Sequence, residues 1–151
     1  MLIDAEESWV QDAIDDLSRE MMLKFNRERA IVYNTVQMYR VDRLDFVKRE
    51  IKRAREDGYH FGVKLVRGAY MEKERDRAAQ KGYPSPIQPT KETCDHDYDA
   101  AAAYLMGNID IAALCAGSHN EKSNENLARL MRAQGVAPSD SRVFFSQLLG
   151  M

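Results

Sequence analysis

The 151-residue sequence is poor in the groups that announce a simple function. It has two cysteines, Cys94 and Cys115, with no CxxC spacing. Isolated thiols fit ordinary packing in a reducing compartment and exclude a disulfide framework or cysteine zinc site. Three histidines, with no HExxH and no cluster at ligand spacing, leave no metal centre to expect. No apolar run approaches the roughly 18 residues of a spanning helix, and no basic stretch followed by an apolar one opens the chain. The chain therefore reads as soluble and untargeted, while a longer parent could carry a transit segment upstream. An excess of either charge is also missing: 22 Lys and Arg against 24 Asp and Glu argue against a nucleic-acid or membrane-surface partner. There is no GxGxxG, no Walker loop and no GxSxG elbow, which weakens the nucleotide-fold and serine-nucleophile readings.

What is present is alternation. The most distinctive stretch, GVKLVRGAYM at 62–71, sets Lys64 and Arg67 within a short apolar run and follows it with a Gly-Ala step. It reads as a buried strand ending in a tight turn, where Gly68 permits close backbone approach or a positive φ. Lys64, Arg67 and Tyr70 there suit either one wall of a site for an anionic or aromatic ligand, or pairing with carboxylates at a sheet rim. Before it, MLID (1–4) and IVYNT (31–35) read as strands. Trp9, Ala13, Leu17, Met21 and Phe25 fall at helical spacing, as do Phe46, Val47, Ile51 and Ala54 up to Gly58. After it come the helical MEKERDRAAQK, closed by Gly82, a PSPIQP loop, and a helix capped by Thr90 or Thr93 and ending at Gly107. The strand IDIAALC (109–115) follows. A helix capped by Ser118 or Asn120, with Leu127, Leu130 and Met131 inward, ends at Gly135, and Val143–Phe145 opens a last strand. Five strands thus alternate with about four helices at a period of roughly 30 residues, the signature of βαβ units in a parallel sheet.

The fold class is α/β, as a doubly wound open sheet or as part of a (β/α)8 TIM-type barrel. A whole barrel needs about 250 residues, so this chain would supply about five of the eight units. It begins and ends on strands and looks like a piece of something longer. Polar residues gather after the strands: Asp4; Asn34, Thr35, Gln37 and Tyr39; Lys64, Arg67 and Tyr70; Ser118, His119 and Asn120; Ser146 and Gln147. In a parallel barrel these positions share one face, which argues for an enzyme. Singly, each has a structural alternative, Asp4 as a helix cap and His119 as a loop histidine among them.

DAEES (4–8), NTVQMY (34–39), KLVRGAYMEKER (64–75), SHNE (118–121) and QLLGM (147–151) together resemble, in order and spacing, the motifs of the proline dehydrogenase family. The resemblance covers essentially the whole chain. It implies an FAD-binding barrel that oxidises L-proline to Δ1-pyrroline-5-carboxylate and passes electrons to a quinone at a membrane. The location implied is cytoplasmic or membrane-peripheral in a bacterium and mitochondrial in a eukaryote. Residue by residue, it implies catalytic roles for Asp4, Lys64 and Tyr70. FAD contacts would come from Gln37, Lys64, Arg67, Gly68, Ala69, Ser118 and His119, and a substrate wall from Leu65, Tyr70 and Leu148. Lys64 stands where many members have arginine, and Met71 where some have tryptophan. The family's substrate-clamping arginine pair and an early active-site lysine would lie outside this sequence, so residues 1–151 alone are expected to bind proline poorly. Hydroxyproline dehydrogenase, a self-associating non-catalytic barrel fragment and, least of all, an aldolase with Lys64 as a Schiff-base lysine are the alternatives.

Overall fold

The computed structural model describes residues 1–150; Met151, the last residue of QLLGM, lies outside the described residues. The elements are β1 (Leu2–Ile3), α1 (Ser8–Phe25), β2 (Tyr33–Gln37), α2 (Arg43–Asp57), β3 (Phe61–Val66), α3 (Met71–Lys81), α4 (Lys91–Met106), β4 (Ala112–Gly117), α5 (Glu121–Ala133) and β5 (Val143–Ser146). The strands form one parallel sheet in the order β1-β2-β3-β4-β5. Because strand order follows chain order without reversal, the sheet has no switch point of the doubly wound kind, and the barrel alternative stands.

Three expectations are corrected. There are five helices, not four, because the β3–β4 crossover carries both α3 and α4. The prolines at 84, 86 and 89 separate the pair, and Thr90 restarts the helix by accepting the Thr93 N–H in a capping box. The second and fourth strands lie two to three residues later than the apolar runs suggested. Val32 packs in the core just before β2, and Ile109–Ile111 belong to a turn. Finally, α1 does not bury the stripe through Trp9, Leu17 and Phe25, which are 38, 54 and 43% exposed. It buries Gln11, Asp15, Ser18 and Met22. The reason is what α1 faces: Asn34 of β2 donates to Asp15 Oδ1 (2.8 Å) and Arg43 of α2 to Asp15 Oδ2 (2.6 Å), so a hydrogen-bonded polar seam replaces an apolar one.

The two faces of the sheet differ in kind. Side chains alternate across a strand, so Val36, Val63, Leu65 and Leu114 face the helices. There they pack with Val47 and Ile51 of α2, Tyr98 and Leu105 of α4 and Leu127 of α5. The other face carries the register partners Thr35, Lys64, Cys115 and Phe144, and beneath them Gly62 and Ala113. The Tyr33 ring of β2 meets Phe144 of β5 edge-on at 5.7 Å, although two strands lie between them. On a flat sheet those strands would be about 14 Å apart. An inward curl, with glycine and alanine in between, lets the rings touch. This face is the concave side.

Candidate active-site rim

The C-terminal strand ends gather most of the expected residues, with different roles on the two faces. Asp4 follows β1, and its Oδ1 accepts from Lys64 Nζ at 2.6 Å. It caps no helix: Glu7 holds the N-cap position of α1. The ion pair joins strands on either side of β2, and the register puts Thr35 between them. Thr35 is buried and its Oγ1 has no hydrogen-bond partner.

Gln37, at the end of β2, uses both ends of its amide on neighbouring loops. Nε2 donates to the Glu6 carbonyl (2.9 Å) and Oε1 accepts the Ala69 N–H (3.0 Å). Tyr70 closes the same triangle by donating to Glu6 Oε2 (2.8 Å), which raises its phenol above the ordinary value. Beneath the turn, Gly68 has φ +142°, and a Cβ there would lie 2.5 Å from the Tyr39 ring, so both conformation and space require glycine. Burial pushes the Tyr39 phenol up to about 12. Gly68 to Lys73 line an open depression of about 420 Å³.

Two assigned residues face the other way. Leu65 is fully buried in the helix-facing core, its side chain on the opposite face of β3 from Lys64, so it is no floor for a ligand beside Lys64. Arg67 also meets the helix layer. Its guanidinium bonds Asp95 of α4, Ser123 of α5 and Ser118, and lies 4.5 Å from the Tyr98 ring centre. Against the penalty of burial, hydrogen bonds from Lys91 and Arg67 hold Asp95 below the usual carboxylate range.

After β4, His119 Nε2 accepts the Leu148 N–H at 3.2 Å, an arrangement that leaves its proton on Nδ1. The Leu148 side chain itself is 69% exposed. The structure thus brings Asp4, Gln37, Lys64, Gly68, Ala69 and Tyr70 together, sets Ser118 and His119 beside the end of β5, and separates Leu65 and Arg67 from the Lys64 face. Sequence reasoning passed over Glu6, although it lies in DAEES, and over Asp95 and Ser123, whose helices carry no motif that marks them.

The family model described as proline dehydrogenase matches residues 1–151. The human protein "Proline dehydrogenase 1, mitochondrial" is 42% identical over 154 residues, covering all of this chain and 26% of the human protein. A Xenopus laevis hydroxyproline dehydrogenase is 36% identical over 155 residues, covering all of the chain and 33% of that relative. Among solved structures, that of proline utilization A (PutA) from Bdellovibrio bacteriovorus, inactivated by N-propargylglycine, overlays with a TM-score of 0.91. It is 26% identical and covers 99% of this chain and 16% of that one. The sequence spans about a quarter of the length of the human relative. A full-length match to the family model and a shared sequential barrel sheet agree, and the chain belongs to the proline dehydrogenase family.

Proposed function

We propose that the protein carrying this chain oxidises L-proline to Δ1-pyrroline-5-carboxylate with FAD, and that residues 1–151 are part of its FAD-binding barrel domain. The observation that carries the reading is the concave rim of a chain belonging to this family, where the Lys64 ammonium pairs with Asp4 beside the unpartnered Thr35 hydroxyl at the C-terminal strand ends. The rim fits a large polar cofactor. Thr35 Oγ1 is a buried polar atom still without a partner on the Lys64 face. FAD, when bound, supplies the hydride acceptor.

The chain's own residues bind and orient. Lys64, held toward β1 by Asp4, would set a positive charge beside the bound cofactor. Gln37 fixes the loops after β1 and β3 relative to each other, and so places Ala69 and Tyr70. His119 ties the Leu148 backbone to the turn after β4. The substrate's carboxylate clamp lies outside residues 1–151 in this reading, which predicts weak proline binding by these residues alone, since an unpaired carboxylate stays better solvated by water. The electron acceptor in this reading would be a quinone at a membrane. Among the described residues no helix is long and apolar enough to cross one. A mitochondrial location fits if the source is eukaryotic, as the names of the animal relatives have it.

An absorption spectrum of the full-length protein as purified tests this: a flavin spectrum bleached by L-proline is expected, and a colourless protein, or one indifferent to proline, defeats it. The Xenopus relative supports a second substrate, hydroxyproline. A substrate panel separates the two, with L-proline expected to bleach faster.

A further inference from the structure

Arg67 has partners on all three guanidinium nitrogens. Nε donates to Asp95 Oδ1 (2.5 Å), Nη1 to Ser118 Oγ (2.6 Å) and Nη2 to Ser123 Oγ (3.0 Å). Ser118 is the centre of the next shell. Its Oγ also accepts the Asn120 N–H (3.0 Å), its carbonyl accepts from Asn124 Nδ2 (3.1 Å) and Gln147 Nε2 (3.2 Å), and its N–H donates to the Ser146 carbonyl (3.1 Å). His119, the next residue, holds the Leu148 N–H. One guanidinium just after β3 therefore anchors the turn after β4, and that turn anchors the segment after β5.

We propose that Arg67 is a positioning residue: it sets the Ser118–Asn120 turn, and through it the His119 ring and residues 146–148, for the cofactor, without touching the cofactor itself. The inference rests on the FAD reading above but departs from a direct contact by Arg67. The guanidinium lies against α4 and α5, its ring partner is Tyr98 of α4, and its planar fork matches three acceptors at once, which a point charge would not. Its bonds are charge-assisted and so among the stronger ones available to hold a turn.

The test uses the full-length protein, stripped of flavin and titrated with FAD, with Arg67→Met, Ser118→Ala and the double variant. Expected for Arg67→Met is FAD binding weaker by about tenfold to a hundredfold, as for other supporting-shell losses. Ser118→Ala loses part of that, the double variant is no worse than Arg67→Met, and the reduction potential of bound flavin is unchanged. A more negative potential in Arg67→Met would place its charge at the flavin and overturn the proposal. So would unchanged FAD affinity, or losses that add in the double variant. Should Arg67→Met fail to fold, Ser118→Ala and Ser123→Ala take its place, with less-than-additive weakening expected and additive or absent weakening overturning. Backbone hydrogen exchange in the flavin-free protein is a further arm. Faster exchange at 118–120 and 146–148 in the variants supports the link even if the wild type binds no FAD, which would sink only the functional reading; unchanged exchange sinks the link.

Discussion

Lys64 and Arg67 stand three residues apart in one motif and do opposite things. Lys64 points into the concave face, where its one ion pair is with a largely exposed aspartate. Arg67 points at the helices, where three side chains and an aromatic ring take it up. The contrast extends to the whole sheet. The helix-facing side is the more nearly finished, with a continuous core and a buried polar seam at Asp15 and Arg43 whose charges are matched, although the Tyr59 and Tyr98 hydroxyls in that core have no partner. The concave side holds the unpartnered Thr35 hydroxyl, the Lys64 ammonium and the 38%-exposed Phe144 ring. A face whose buried charges are matched within the fold serves stability, and a face whose ammonium has only an exposed aspartate for a partner suits a ligand.

Substitutions on the finished side should cost stability most. Asp15→Ala removes one of the two carboxylates that Arg43 bonds, leaving it Asp42, and frees the buried amides of Asn34 and Gln11. A loss of about 2–4 kcal/mol is expected in denaturant unfolding of the full-length protein, from the buried amides left unpaired and the guanidinium left with one carboxylate, and a loss under 1 kcal/mol would erase the contrast. Gly68→Ala, at the boundary between the faces, forces a strained φ and a clash with Tyr39. About 2–4 kcal/mol is expected by the same measurement, partly restored by adding Tyr39→Leu. On the unfinished side, Lys64→Met should change stability by no more than about 1 kcal/mol, because its partner Asp4 is mostly in water. Its proline turnover, read with a dye acceptor, should fall by about a hundredfold.

The smallest effect is expected far from the rim, at Asp140. Hydrogen bonds from Arg142 hold it down to about 2. A depressed carboxylate stabilises the fold fully above its unfolded value near 3.8, and loses that contribution as pH falls through the folded value. Asp140→Asn should therefore be slightly less stable than wild type at pH 7, with the difference fading between about pH 4 and pH 2 in a series of unfolding midpoints. A gap that persists at pH 2 would mean packing, not charge.

Much of the fold was legible because period and punctuation are local. Gly58 and Gly82 do close α2 and α3 in left-handed conformations, and Thr90 does cap α4. The face of α1 was not legible. Its apolar residues fall at helical spacing, yet Asn34 and Arg43 draw Asp15 inward instead, and neither is near it in sequence. The site divides in the same way. The approach at Gly68 could be read from its turn, but which ligand of the KLVRGAY motif faces which side depends on strand parity and on Asp95 and Ser123, which arrive from other helices.

The sequence by itself determined the family, the alternation of strands and helices and the residues at the strand ends, since motifs, caps and periodicity act over a few residues. Only the tertiary structure decided that five strands lie in chain order on a curled sheet, that Leu65 and Arg67 turn toward the helices, and that Gln37 and His119 tie loops together. Those outcomes depend on which distant partners reach a side chain, and hydrogen bonds across 28 or more residues leave no periodic trace.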